Sequence, residues 1–328
     1  MNGNFMLISD DFVSIVALGM LQCGFFVVFA PFLNTLMKKI KAMLQNRQGP
    51  RLLQGYYDLR KWFKKEAIIP DTATALFTVS PPLVFASILT SSMLLPTFLP
   101  IASLQPMGGV ILLVGLLGLS RFMMAAAAME SPGGFCGMGS SRELMLGALV
   151  EPVMLLSLFV FAMFCESSNF YGIFHKMSHG ISVTPAMLVA LLSLYISVVA
   201  EMGRVPFDNP ETHYELTMIH EGMMLEYSGS LLALLHWASW IKQMVLLSLI
   251  AFLLPPYHLP NDLSASGVAF SFLYYGGKLL ILCIFTAVVE TVVAKIRVFR
   301  NKDILGGALV LALLALILAA QDLSGVAS

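Results

Sequence analysis

The chain has 328 residues, 58% of them hydrophobic and only 12% charged, with a mean hydropathy of +0.84. Soluble domains carry about 25% charged residues, so a water-soluble globular protein is excluded. Nineteen Lys and Arg balance nineteen Asp and Glu, and without a basic excess nothing points to nucleic acid as a partner. Cys23, Cys136, Cys165 and Cys283 lie far apart with no C-x-x-C pair. They read as small apolar residues or idle thiols rather than a disulfide, zinc or iron-sulfur ligand set.

A hydrocarbon core of about 30 Å takes roughly 20 apolar residues per helix. Runs of that kind predict eight spans, near 12–37, 73–95, 108–129, 144–165, 185–201, 232–254, 269–290 and 304–320. The reading is an all-α integral membrane protein, one polytopic domain over 1–328. No Lys or Arg precedes Lys38, so the basic region of a cleaved signal is missing and the first run is expected to stay. Pro81 and Pro82 should bend the second span, which neighbours can tolerate by satisfying the freed carbonyls. The fifth span is the shortest. Fifteen of the nineteen basic residues fall in the loops 38–72, 130–143, 202–231 and 291–303, against Lys176 alone in the opposite loops. The positive-inside tendency makes the four loops cytoplasmic and puts both termini outside. No internal repeat of the inverted-transporter kind is present.

The first of these loops reads KKIKAMLQNRQGPRLLQGYYDLRKWFKKE, Lys38 to Glu66. After the Gly49-Pro50 turn, Leu52, Leu53, Tyr56, Leu59, Trp62 and Phe63 recur at helical spacing with basic residues on the other face. That pattern suits a helix on anionic lipid or a docking surface for a cytoplasmic partner. In the second, Ser131 to Glu143 is glycine-rich but follows a span instead of a strand, so it reads as a tight interhelical loop, not a phosphate cradle. The third loop is acidic, with Glu201, Asp208, Glu211, Glu215, Glu221 and Glu226 against Arg204. Asp208 or Asn209 is placed to cap a helix with Pro210 in its first turn, and Glu211 and Glu215 share one face of it. Met218, Ile219, Met223, Met224 and Leu225 interleave with the acids and imply partial burial, where neighbouring carboxylates raise one another's proton affinity.

Inside the spans, Arg121, Glu151, Lys242 and Lys278 lie deep. An ionised residue at mid-helix costs about 2.5 to 3.5 kcal/mol on insertion scales, so such residues face protein or water and pair. Arg121 and Lys242 suit an interhelical ion pair as well as a transport role. Pro152 follows Glu151 and opens the helical ladder beside it, which makes Glu151 a proton-relay candidate. Glu130, Glu143, Glu201 and Glu290 sit near span ends. His175 and His179 have metal-ligand spacing without a third ligand and read as surface histidines, whereas His213 and His220 lie among acids and are placed to titrate near neutral pH.

The stretches RQGP at 47–50, LQGYYDLRKWFKKE at 53–66, AEMGRVPFDNPE at 200–211 and LEYSG at 225–229 resemble the membrane subunit of respiratory complex I beside the quinone chamber. They are more similar still to its counterpart in group 4 membrane-bound NiFe hydrogenases, the hydrogenase-4 and formate hydrogenlyase type. Gly49-Pro50 runs almost directly into Arg51-Leu52-Leu53-Gln54, without the insertion of complex I. The GGFCGMGSSRE loop, ELTMIHEGMMLEYSG and Lys242 in WIKQM also look hydrogenase-like. Where complex I has an Arg twelve residues after a Lys in its seventh helix, this chain has Glu290 after Lys278.

The resemblance implies an irregular eight-helix bundle that does no redox chemistry itself and binds no cofactor. A NiFe centre and iron-sulfur clusters are expected in partners: hydrogenase large and small subunits, an iron-sulfur electron-transfer subunit and antiporter-like membrane subunits. The setting implied is a bacterial or archaeal cytoplasmic membrane. Arg47, Gly49, Pro50, Arg51, Gln54, Asp58, Lys61, Arg142 and Arg204 are expected to meet the peripheral arm. Glu143, Glu151, Glu201, Asp208, Glu211, Glu215, Glu221, Glu226 and Glu290 are expected along a proton path, with Arg121, Lys242 and Lys278 as its intramembrane cations. Three other readings stand beside this one: the quinone-chamber subunit of an NADH- or other donor:quinone oxidoreductase, an independent cation transporter, and a scaffold whose acids are surface.

Overall fold

The computed structural model describes residues 12–71, 73–97, 108–178, 183–208, 218–256, 265–296 and 300–326. Among these there are helices and no strand: α1 Phe12–Leu44, α2 Gln54–Phe63, α3 Ala75–Leu94, α4 Val110–Glu130, α5 Gly134–Cys165, α6 Phe170–Ser178, α7 Pro185–Glu201, α8 His220–Met223, α9 Gly229–Leu253, α10 Ala265–Val292 and α11 Asn301–Val326. Seven are long and apolar enough to cross a membrane, and α7 is a shorter apolar helix. All eight expected spans therefore exist as helices. The fifth, with 17 residues, is about 26 Å long, less than the hydrocarbon core.

Helix α9 is the axis of the bundle, buried without a break from Trp240 to Leu253. Helices α1, α3 and α10 pack on it, α4 lies on α3, and α5 joins α4 to the α7 and α11 pair. Two of the prolines inside spans are supported from the α9 side. A proline leaves the carbonyl four residues earlier without its helical donor. For Pro31 that carbonyl is Val27, which accepts from Trp237 Nε1 at 3.0 Å. For Pro81 it is Phe77, which accepts from Tyr227 OH at 3.1 Å, with the two rings stacked 4.1 Å apart. Tyr227 stands just before α9, so aromatic donors replace the missing backbone bonds and tie α1 and α3 to the central helix.

Two boundaries differ most from the hydropathy reading. Helix α1 continues to Leu44, so Lys38, Lys39 and Lys41 sit on the helix and not in a loop. Helix α5 starts at Gly134, leaving only Ser131–Gly133 as the tight connection expected over 131–143. The glycines there permit close approach: a Cβ on Gly139 would lie 3.0 Å from the Ile219 carbonyl oxygen, and one on Gly133 only 2.3 Å from Glu226 Oε1. The first turns of α5 are a helix pressed against the 218–226 segment. The helix start expected at Asn209–Pro210 lies outside the described residues.

Candidate functional site: a buried ionic centre below a basic surface

Four spans bring five ionisable residues together. Arg121 of α4 reaches Glu151 Oε1 of α5 at 2.6 Å through Nη1, Glu201 Oε2 of α7 through Nη2, and Glu143 Oε1 of α5 at 3.8 Å through Nε. Lys242 of α9 holds the other Glu201 oxygen at 2.7 Å. Arg121, Glu201 and Lys242 are buried, while the Glu151 side chain keeps 40% of its surface exposed. The short α7 explains Glu201: the helix ends early and leaves its last residue inside the bundle. Two glycines make the room. A Cβ on Gly118 would fall 2.9 Å from Glu151 Oε1, and one on Gly147 only 2.2 Å from Arg121 Nη1. Each glycine stands one helical turn before a charged residue of its own helix, Gly118 before Arg121 and Gly147 before Glu151.

Three carboxyls against two cations give this centre a formal surplus of one negative charge when all are ionised. A cavity of about 20 Å³ opens against it between Arg121, Glu143, Lys242, Ser120, Ser239 and His220. That is room for a single water. His220 and Met223 belong to α8 on the loop side, so the cavity touches both the centre and α8.

A second buried group adjoins the first through consecutive residues of α9. Beside Lys242, Gln243 accepts from Arg204 Nη2 at 2.9 Å. Arg204 also donates to Asn34 Oδ1 at 3.2 Å and pairs with Glu290 Oε1 at 3.0 Å, and Lys41 holds Glu290 Oε2 at 3.4 Å. Sequence reasoning did not foresee this group. Arg204, expected on the arm-facing surface, is buried here because three acceptors from α1, α9 and α10 lie inward of it. Its two cations and one carboxylate carry one surplus positive charge, which balances the surplus across α9.

Asp208 is buried too. Its Oδ1 takes the Lys295 ammonium at 3.1 Å, and its Oδ2 accepts from the backbone N–H groups of Ile219 and His220 at 3.2 and 3.3 Å. It pins the start of α8. Burial first, and then the charge of Lys242, pull the His220 imidazole down to about 4, with Asp208 opposing. The remaining acids are dispersed. Glu221 is half-buried on α8, Glu226 rests against Gly133, and Glu130 accepts the Thr74 N–H at the start of α3. Glu211, Glu215 and His213 lie outside the described residues. Lys278 stands apart from the centre, donating to the carbonyls of Ala251 and Leu254 at 3.1 and 2.5 Å, where it caps α9.

On the loop side, α2 lies across α1 and α9. Gly55 presses on α1, where a Cβ would come within 2.9 Å of the Pro31 carbonyl, Leu59 is buried, and Trp62 stacks on His236 at 4.6 Å. Arg47, Arg51, Arg60, Lys61, Lys64 and Lys65 face outward. Gly49 and Pro50 fold the chain back on α1, Gln54 Nε2 donates to Asp58 Oδ1 at 2.9 Å, and Arg142 donates to the Met218 carbonyl at 3.2 Å. Among the described residues no group of three His, Cys, Asp or Glu is arranged to hold a metal. His179 lies outside them.

This is a multi-pass helical membrane protein with a charged interior reached from its loop side. Residues 16–320 match the NADH dehydrogenase family model, and the chain belongs to that family. Hydrogenase-4 component C of Escherichia coli (strain K12) is 32% identical over 288 residues, 88% of this chain and 90% of the relative. Formate hydrogenlyase subunit 4 of the same organism is 31% identical, covering 82% and 87%. NADH-ubiquinone oxidoreductase chain 1 of Chondrus crispus is 29% identical, covering 71% and 74%. A chain of the membrane-bound sulfane sulfur reductase, an archaeal respiratory membrane complex, has the same fold, with a TM-score of 0.80 at 18% identity over 94% of this chain and 100% of that one. The chain is a complex I-like membrane subunit, as its motifs led one to expect.

Proposed function

We propose that this chain is the membrane-anchor and proton-path subunit of a multisubunit membrane-bound NiFe hydrogenase, formate- or ferredoxin-linked, in a bacterial or archaeal cytoplasmic membrane. The loops face the cytoplasm, where the basic surface of α2 docks a peripheral arm. That arm carries the NiFe centre and iron-sulfur clusters in hydrogenase large and small subunits and an iron-sulfur electron-transfer subunit, and antiporter-like subunits lie alongside in the membrane. The two relatives at 32% and 31% identity support the hydrogenase branch.

The observation that carries the reading is the buried centre with one carboxylate more than its cations. A charge change in the arm alters the field at Glu143, Glu151 and Glu201, and in a low-dielectric site such a field is little screened. The carboxyl that gains or loses a proton in response passes it on, and Glu151, half open at the edge of the centre, is the exit. Protons move through the chain; electrons stay in the arm. In the complete complex reconstituted in vesicles, Glu151→Gln and Glu143→Gln should each lower proton translocation while assembly survives. Unchanged pumping in both variants overturns the proposal.

One observation favours a quinone-reducing complex instead: an apolar cavity of about 310 Å³ between α1 and α10, lined by Phe25, Phe29, Phe32 and Phe272. Quinone co-purifying with the complex and displaced by substitutions in that cavity would favour this second reading.

A further inference from the structure

The buried centre has a neighbour that the charge arithmetic leaves out. His220 lines the same water-sized cavity as Glu143, Arg121 and Lys242, yet belongs to the loop side and keeps part of its surface open. Its backbone is held by a buried carboxylate. Asp208 accepts the His220 N–H, and Gly203, at φ +61°, neighbours the His220 Cβ at ordinary packing distance. The ring is therefore placed at the boundary between the loop side and the centre. Asp208, the other candidate at this boundary, has both oxygens engaged by Lys295 and two backbone N–H groups.

Resting on the reading above, we propose that His220 is the proton-exchange group between the loop side and the buried centre. One ring nitrogen takes a proton from loop-side water, the other releases its own into the cavity, and the Glu143 carboxylate receives it. No bond other than N–H and O–H forms or breaks. The imidazole ends neutral in the opposite tautomer, and a ring turn or the reverse transfer resets it.

Burial, more than the charges around it, keeps the imidazole neutral. Lys242 from α9 and Arg121 from α4 oppose its protonation, Asp208 ahead of α8 and Glu201 from α7 favour it, His236 from α9 couples to it, Glu143 from α5 lines the same cavity, and Glu221 follows it in sequence on α8. Burial and the Lys242 charge hold the ring near 4, so it is neutral at working pH and relays protons without storing charge beside the two cations. A neutral imidazole has one donor and one acceptor nitrogen, which is what a relay through a single-water cavity requires.

The test uses the complete complex in vesicles with an internal pH-sensitive dye, comparing His220→Ala, His220→Gln and Glu143→Gln. Assembled His220 variants should take up protons roughly tenfold or more slowly. Added imidazole should restore His220→Ala and leave Glu143→Gln unchanged. An assembled His220→Gln complex pumping at the wild-type rate overturns the relay, as does a slowed His220→Ala that imidazole fails to rescue. Should His220→Ala not assemble, His220→Gln carries the test. If Glu143→Gln alone loses pumping, the relay fails and the proposed function stands. If Glu143→Gln and Glu151→Gln both pump normally, the proposed function itself falls.

Discussion

Glu201 holds two cations on one carboxylate. Arg121 and Lys242 come to it from different helices, and each is buried. Removing one member of a buried pair leaves the other uncompensated and costs about 3 to 5 kcal/mol. Glu201→Gln should therefore destabilise the purified complex by that order, and adding Lys242→Met should recover part of the loss. Thermal unfolding of both variants checks this, and strict additivity of the two substitutions would argue against the pairing. At this scale the sequence exposed the cost of Arg121 and Lys242, because any charge in an apolar run is conspicuous. Glu201 and Glu290 were less legible. Each stands at a span end, where snorkelling is cheap, and only the shortness of α7 and the inward turn of Arg204 reveal that both are enclosed.

Among the elements, α9 and the residues leading into it support their neighbours through side chains that hydropathy does not weigh. The hydroxyl of Tyr227 supplies the donor that Pro81 removes from Phe77. Tyr227→Phe keeps the stacked ring and deletes only that bond. Leaving the carbonyl unpaired in the interior should cost about 1 to 3 kcal/mol, measurable as a lowered unfolding temperature of the complex, whereas Ala in place of Pro81 should make the Tyr227→Phe change nearly neutral. The spans themselves were readable to within a few residues because about 20 consecutive apolar residues leave little alternative. The start of α5 was not. Its first ten residues are glycine- and serine-rich, so no apolar run marks them, and what fixes the helix start is Pro132-Gly133 together with packing against the 218–226 segment.

Over the whole molecule, the acidic third loop turns out to be divided. Glu201 and Asp208 are drawn into the bundle, while Glu221 and Glu226 stay at its edge. Alternating signs along the chain made the charged loops conspicuous, but which acids are enclosed depends on partners far away in sequence: Lys295 for Asp208, Arg121 and Lys242 for Glu201. This burial has a pH signature. The folded state holds His220 near 4, below its ordinary value of about 6.5, so between these limits the unfolded chain binds the extra proton and stability falls with acidification. The contribution is complete above about pH 6.5 and gone near pH 4. Unfolding temperatures of the wild-type complex should decline through this window more steeply than those of His220→Gln; parallel curves would contradict the assignment.

Gly229 opens α9 at φ +55°, with a would-be Cβ only 2.4 Å from the Glu66 carbonyl oxygen, and Ser228 exchanges hydrogen bonds with the backbone of Ile68. The strand of chain leaving α2 is thus riveted to the head of the central helix. Thirteen residues farther along that rod, about 20 Å, stands Lys242. A rigid link of this kind would carry a displacement of the α2 platform to an ammonium group, so whatever grips the outside of this protein there also has a handle on one of its enclosed charges.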